Sequence, residues 1–212
     1  LFAAFCALAS FGIGNLSQLN SIAGNLQAAF GVPEAVTGAV LAAVSAVILL
    51  GGLKRVAAVA ERLVPAMALL YIVGALTVVG VHITAVPAAL AAILKGAFGL
   101  QAAGGGIVGY GLSRAITWGF KRGAFSNEAG LGSSVMVHAA SNVKEPVQQG
   151  MWGIFEVFAD TMVVCTLTAL VVLTTGFVDL ETGHMLSDVQ GSALVGQAFS
   201  TVFGHYGPKF VA

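Results

Sequence analysis

The stretch VPAALAAILKGAFGLQAAGGGIVGYG, residues 86–111, begins as an apolar helix and then becomes too rich in glycine to continue as one. Pro87 suits the first turn of a helix, and the chain stays mostly apolar as far as Gln101. Each glycine inside a helix costs about 1 kcal/mol relative to alanine. The stretch therefore predicts a discontinuous helix over about 86–119. The glycines that interrupt it are Gly104, Gly105, Gly106, Gly109 and Gly111.

The composition around this stretch is that of a membrane protein. Charged residues make up 8% of the 212 positions and the hydrophobic types 58%, whereas soluble domains carry roughly 25% charge. So few charges cannot cover the surface of a soluble protein of this size. The formal net charge of zero excludes an electrostatic nucleic-acid footprint. Cys6 and Cys165 lie in apolar runs without the spacing of a metal site or a disulfide framework.

Apolar runs long enough to cross a membrane recur along the chain. A helix needs about 20 mostly apolar residues to do so. We expect a single all-α transmembrane domain over residues 1–212, with loops at 31–34, Lys54–Arg62, 85–87 and 141–149. Because Leu1 and Ala212 both fall in apolar runs, we also expect the chain to be a fragment. The predicted spans are about 1–24, 36–53, 64–84, the broken 86–119 and 149–176, followed by an outer-loop helix at about 188–201.

The basic residues predict the orientation of these spans. If the first span runs outward, seven of the nine Lys and Arg residues fall on one side, and positive residues mark the cytoplasmic side. This count requires 86–119 to cross once. We therefore expect a multi-pass protein of the cell membrane. The residues on the inner side are Lys54, Arg55, Arg62, Arg114, Lys121, Arg122 and Lys144.

An interrupted helix within a membrane has a functional interpretation. Free backbone N–H and C=O groups in hydrocarbon cost several kcal/mol each unless a polar group binds them. Transporters use such breaks to present N–H groups to a carboxylate and carbonyls to a cation. Gly104, Gly105 and Gly106 are therefore candidate substrate-binding residues. The alternative is that these glycines only allow close helix packing.

Amides in the first span are further candidates. Asn15 and Gln18 are three residues apart and share a helix face. Their donors and acceptors suit an amino acid or the shell of an ion. For Asn15 and Asn20, the alternative is a hydrogen bond to a neighbouring helix, whereas Gln18 favours substrate binding.

The last long span carries a carboxylate in FEVFADTMVVCTLTA, residues 155–169. An ionisable residue in the middle of a span costs at least ~3 kcal/mol on insertion scales, which favours a functional role. Asp160, with Thr161 beside it, is the candidate for cation coupling. The alternative is a structural carboxylate paired with an amide or arginine. Glu156 lies closer to the predicted interface, and His138 is interpreted as a polar-face residue of a short interfacial helix.

The polar segment after the broken helix identifies a family. Residues 121–133, KRGAFSNEAGLGS, resemble the signature of the alanine or glycine:cation symporters, also called sodium:alanine symporters. Matching blocks occur at 11–15, 51–57 and 157–161 in the same order. Departures include Ser134-Val135 where the family has Ala-Pro, and Glu145 where it has His before Pro146. Ile107 replaces a phenylalanine in the expected pocket and joins the substrate-binding candidates.

The resemblance implies a LeuT-like inverted-repeat fold of the APC superfamily. This chain would hold its third to seventh helices, the outer-loop helices and the edge of the eighth. It implies uptake of alanine or glycine with Na⁺ or H⁺ by alternating access, with no cofactor besides the co-transported ion. The alternatives are an amino-acid-binding membrane sensor or a non-coupled carrier on the same fold. An enzyme is not expected, because no nucleophile–base pair, metal spacing or phosphate loop is present.

The segment 123–134 itself is interpreted as an inner gate or hinge. Asn127 and Glu128 are able to cap a following helix, while glycine lets the backbone turn sharply. In the closed state Glu128 would pair with Arg122 or Arg114. The alternative is a static loop. The hinge candidates are Arg122, Ser126, Asn127, Glu128 and Gly130.

Overall fold

The described part of the chain is helical. This computed structural model describes residues 1–10, 12, 15–98, 116–121, 123, 134, 138–139, 141–182 and 184–211. Within these ranges the backbone forms helices and a single isolated antiparallel bridge, between Val178 and Met185. The predicted all-helical class is confirmed.

The helices, in chain order, are α1 Phe2–Ser10, α2 Leu16–Phe30, α3 Glu34–Leu50, α4 Gly52–Val81, α5 Val86–Phe98, α6 Pro146–Val157, α7 Thr166–Thr174, α8 Ser192–Phe203 and α9 Gly207–Val211. A π-helix, Phe158–Cys165, joins α6 to α7, and 3₁₀ turns occupy Ile83–Ala85 and Gly204–Tyr206. Residues 116–121 are also helical. The chain forms two compact units, one of Leu1–Ile83 with Leu167–Ala212 and one of Thr84–Thr166.

The run predicted as a first span at about 1–24 contains two helices. The carbonyl of Gly12 accepts hydrogen bonds from the N–H groups of Asn15 at 3.1 Å and Leu16 at 3.0 Å, where α2 begins. The helix then continues to Phe30 and ends at Gly31, which has a φ of 70°. Glycine adopts this left-handed conformation without strain. The loop expected at 31–34 is therefore present, although α3 already starts at Glu34.

The prediction of a loop at Lys54–Arg62 is wrong, because these residues are helical in α4. The sequence around them consists of good helix formers, and Gly51 with Gly52 supplies the whole turn from α3. Gly52 has a positive φ of 73°. The Arg55 guanidinium turns back and donates to the Val47 carbonyl at 3.1 Å. An arginine at this place satisfies the exposed carbonyl end of α3.

Among the described residues, two helical segments have the length and apolarity to cross a membrane. They are Gly52–Val81, with 30 residues, and Pro146–Thr174, with 29. At about 1.5 Å per residue, each exceeds the roughly 30 Å hydrocarbon core. Much of their apolar surface is exposed, as at Leu69 and Met162. Such surface suits contact with lipid or with further helices.

Helices α8 and α9 form a helical hairpin, residues 192–211, which packs against α2 and α4. Helix α8 overlaps the predicted outer-loop helix at about 188–201, and the place of that helix outside the membrane stays a prediction. Leu194, Ala198 and Phe199 of α8 are buried. On α4, Gly74, Ala75, Val78 and Val79 are also buried.

Candidate functional site

The helix from Pro146 to Thr174 changes its winding at the residues that the sequence singles out. Residues 158–165 are π-helical, with α-helix on both sides. Asp160 and Thr161 both lie in this segment. Short π-helical segments within α-helices are rare and occur often at functional sites, because they shift side chains and carbonyls out of the regular ladder. The segment contains neither glycine nor proline, so the sequence has no local signal for it.

Asp160 carries an unsatisfied oxygen in this segment. Its residue is half-buried, and its Oδ2 atom is shielded from solvent with no hydrogen-bond partner among the described residues. A shielded carboxylate is costly unless a cation, a proton or a hydrogen-bond donor compensates it. The geometry therefore suits cation coupling, and the role itself stays a prediction.

An open cleft of about 580 Å³ lies beside the π-helix. Its polar lining comes from Ser134, His138, Glu156 and Thr161. His138 faces α6 closely, since a Cβ added to Gly153 would lie 3.9 Å from its Cε1 atom. The remaining lining residues are Gly150, Gly153, Ile154, Val157, Phe158 and Met162.

Sequence reasoning missed the grouping of His138 with Thr161. It interpreted His138 as a polar-face residue, but the structure places it in the wall that Thr161 and Glu156 also line. Positions 138 and 161 are too far apart in the chain for helical periodicity to link them. The neighbouring pair at Glu156 and Asp160 was the available signal, and only Glu156 of that pair lines the cleft.

The amide candidates lie at the start of α2, in the other compact unit. Asn15 immediately precedes the helix and makes no side-chain capping bond. Gln18 lies in its first turn, and both side chains are exposed, as is that of Asn20. Exposed amides remain accessible to a ligand, so their substrate role stays a prediction. Asn25, which the sequence did not single out, is half-buried, and its Oδ1 accepts a hydrogen bond from Ser192 Oγ at 3.1 Å.

Several predicted residues lie outside the described part of the chain. These are the substrate candidates Gly104, Gly105, Gly106 and Ile107, and the hinge candidates Arg122, Ser126, Asn127, Glu128 and Gly130. The discontinuous helix also stays a prediction, since α5 is described to Phe98 and the helical residues resume at 116–121. In that second piece, the Lys121 ammonium lies 5.5 Å above the Trp118 ring. This cation–π contact suits an interfacial anchor.

The loop between α7 and α8 contains a carboxylate, that of Asp179, which accepts hydrogen bonds from neighbouring loop residues. The Thr182 hydroxyl donates to Asp179 Oδ2 at 2.5 Å, and the Glu181 N–H donates to Oδ1 at 2.9 Å. These hydrogen bonds, that of Thr182 foremost, hold the pKa of Asp179 below its usual value. The Asp179 carboxylate is therefore satisfied within the loop.

Comparison with known proteins identifies the family. The sequence profile described as the sodium:alanine symporter family matches residues 1–212. The chain is 39% identical, over 95% of its length, to the sodium/alanine symporter AgcS of Methanococcus maripaludis, of which it covers 43%. It is 37% identical, over 92% of its length, to the sodium/proton-dependent alanine carrier protein of Bacillus sp., covering 45% of that protein.

A further relative is the amino-acid carrier protein AlsT of Bacillus subtilis, with 46% identity over 77% of this chain and 35% of the relative. The chain thus spans less than half the length of these relatives. The family and these relatives are transporters, which agrees with the expectation that the chain is not an enzyme. On its sequence, over its whole length, this chain belongs to the sodium:alanine symporter family.

Proposed function

We propose that this chain is part of a secondary active symporter that takes up alanine or glycine together with Na⁺ or H⁺. The transporter works by alternating access in the cell membrane. Family membership supports the reaction class, and two relatives are named as a sodium/alanine symporter and a sodium/proton-dependent alanine carrier. The membrane-length helices α4 and α6–α7 support the location.

The observation that carries the proposal is the shielded Oδ2 of Asp160 within the π-helix. A carboxylate oxygen without a donor is suited to hold a cation or a proton. A π-helix also displaces carbonyls from their regular partners, and displaced carbonyls in membrane helices coordinate Na⁺. Asp160 and Thr161 would therefore hold the coupling cation.

The amino acid would bind where amides and free backbone groups are available. Gln18 and Asn15 present exposed amides at the start of α2. The peptide groups of Gly104, Gly105 and Gly106 would receive the substrate carboxylate at the break of the discontinuous helix, with Ile107 shaping the pocket. This arrangement would belong to a LeuT-like inverted-repeat fold.

Coupling requires that both ligands favour the same conformational change. Each ligand shifts the equilibrium between outward-open and inward-open states only by its difference in affinity for the two. A cation at Asp160 and an amino acid at the broken helix would both stabilise the occluded state. Opening toward the cytoplasm would then involve the segment 123–134, with Glu128 released from Arg122 or Arg114.

The test is transport by the full-length protein in proteoliposomes. An inward Na⁺ gradient should drive uptake of labelled alanine or glycine above the equilibrium level, and replacing Na⁺ by choline should abolish it unless a pH gradient drives it instead. Exchange that never exceeds equilibrium under either gradient would indicate a non-coupled carrier. Binding of alanine without any flux would indicate a sensor. Either result overturns the proposal.

A further inference from the structure

The α8–α9 hairpin is joined to α2 and α4 by contacts of several independent kinds. We propose that this hairpin is a fixed cap on α2 and α4, so that the three move as one body and the hairpin does not lift separately. The proposal goes beyond the transport reaction and concerns one compact unit. The uptake measurement in its first test rests on the proposed function, whereas the other measurements do not.

Stacked aromatic rings form the centre of the contact. Phe210 of α9 stacks on Phe199 at 5.3 Å and on Phe203 at 5.2 Å between ring centroids. Phe199 is fully buried and lies 5.7 Å from the ring of Tyr71 on α4. Offset aromatic stacking depends on close, oriented contact. Lifting the hairpin would separate Phe199 from Tyr71 and would expose the buried Phe199 ring.

Two glycine residues allow close packing at this contact, one on α4 and one within the hairpin. The ring of Phe210 occupies the place where a Cβ on Gly74 of α4 would stand, so that any larger residue would overlap it. Within the hairpin, Gly196 lies against Pro208, whose Cα would be 3.4 Å from an added Cβ. Closely packed interiors have few alternative arrangements of similar energy. The ring cannot slide along α4 without leaving the notch at Gly74.

Polar contacts hold the hairpin at both ends. At its start, Ser192 Oγ donates to Asn25 Oδ1 of α2 at 3.1 Å. Near its end, the Lys209 ammonium lies 5.7 Å above the Phe30 ring of α2 and 5.3 Å above the Tyr206 ring. Cation–π contacts of this length are attractive. A hinged lid would be expected to keep one end free, but both ends of this hairpin contact α2.

Tyr71 extends the connection beneath the aromatic rings. Its hydroxyl shares a hydrogen bond of 2.7 Å with Thr168 Oγ1 on α7. The residue that supports Phe199 therefore also contacts the helix from which the chain leaves toward the hairpin. Movement of the hairpin relative to α4 would strain this shared position.

The first test joins the hairpin to α2 covalently. In the full-length protein with all other cysteines replaced, including Cys6 and Cys165, Ser192→Cys and Asn25→Cys are introduced together and oxidised. The disulfide should form equally with and without Na⁺ and alanine. Uptake should stay within about twofold of that of the reduced protein, which corresponds to about 0.4 kcal/mol. Uptake that is lost on oxidation and restored by reduction would show that the hairpin must move. Failure of the disulfide and of a short bifunctional thiol reagent would show that the contact is absent.

This test distinguishes a failure of the proposed transport function from a failure of the fixed-hairpin proposal. If the parent protein takes up no alanine before any substitution, the transport proposal fails. The extent of cross-linking with and without ligands still reports whether the hairpin stays in contact with α2.

The second test measures exposure beneath the hairpin. Val78, fully buried and one turn beyond Gly74 on α4, is replaced by the similarly sized cysteine and treated with a membrane-impermeant maleimide. It should stay unlabelled with and without Na⁺ and alanine. Adding Gly74→Val should make the cysteine at position 78 accessible to the reagent, whereas Gly80→Val should not, because an added Cβ at Gly80 meets no atom of the described residues within 4 Å. Labelling that rises with ligands in the single variant, or that is present under every condition, would overturn the proposal.

Discussion

The part of α4 beneath the hairpin and the π-helix at 158–165 lie in segments of similar length and composition, yet they differ in how their groups are satisfied. On α4, Gly74, Ala75, Val78 and Val79 are buried, and Tyr71 is hydrogen-bonded to Thr168. In the π-helix no residue is fully buried, and Asp160 has a shielded oxygen without a described partner.

The difference separates a packed region from the region that we propose to be functional. Buried polar groups are nearly always satisfied. A carboxylate oxygen without a described partner, such as that of Asp160, is far costlier than a hydroxyl without one, such as that of Thr37, and it therefore favours a bound cation, a proton or a donor. In the compact unit that contains α4, aromatic rings packed against glycine residues fill the space under the hairpin. The π-helix gives up regular hydrogen bonding, as functional sites commonly do.

Replacing Asp160 should have the largest effect. Asp160→Asn keeps the shape and removes the charge that would attract the cation, so Na⁺-driven alanine uptake should fall by about 100-fold, within the usual range of coupling energies. Asp179→Asn in the loop between α7 and α8 is the matched control and should change uptake by less than about twofold, since surface changes seldom matter. Uptake rates in proteoliposomes decide it. Equal, small effects of both variants would remove the cation role from Asp160.

A smaller effect is expected at the exposed amides of α2. Gln18→Ala should raise the KM for alanine by about tenfold, since a hydrogen bond to a charged group contributes roughly 1.5–3 kcal/mol. Gln27→Ala, also exposed on α2, should leave it unchanged. The two variants are compared by concentration-dependent uptake. An unchanged KM in Gln18→Ala would leave this amide without a substrate role.

Two buried hydroxyls elsewhere in the same compact unit as α4 test the effect of a hydrogen bond on stability. Thr174 is buried and donates to the Leu170 carbonyl at 2.7 Å, whereas buried Thr37 has no described partner. Thr174→Val should lower the free energy of unfolding by about 1 kcal/mol, while Thr37→Val should leave it unchanged or raise it by up to about 1 kcal/mol. Thermal unfolding in detergent measures both. A larger loss at Thr37 than at Thr174 would contradict this assignment.

The smallest effect concerns the loop carboxylate. Because the pKa of Asp179 is lowered in the folded loop, its hydrogen bonds are fully formed above the ordinary pKa of 3.8 and are lost as the pH falls through the lowered value. Thr182→Ala should shift this pKa back toward the ordinary one. NMR titration of labelled aspartate carboxyls would show the shift, and an unchanged titration would mean that Thr182 does not set it.

Sequence reasoning reached the helical class and several boundaries because these follow from local chemistry. The end of α2 before Gly31 and the start of α5 at Val86, next to Pro87, each depend on a few neighbouring residues. The same reasoning mistook Lys54–Arg62 for a loop, because it treated charge as a boundary where good helix formers continue α4. It also gave no indication of the π-helix, which has no distinctive residue.

By itself the sequence determined that this is a helical protein of the membrane, that its carboxylate at Asp160 is out of place in an apolar helix, and that its motifs match one family. These properties follow from composition and short-range spacing. The tertiary structure alone decided that Phe210 fits against Gly74, that Asn25 accepts a hydrogen bond from Ser192 and that His138 shares a cleft with Thr161. Such pairings depend on the directions in which separate helices pack, and residues far apart in the chain carry no local record of that geometry.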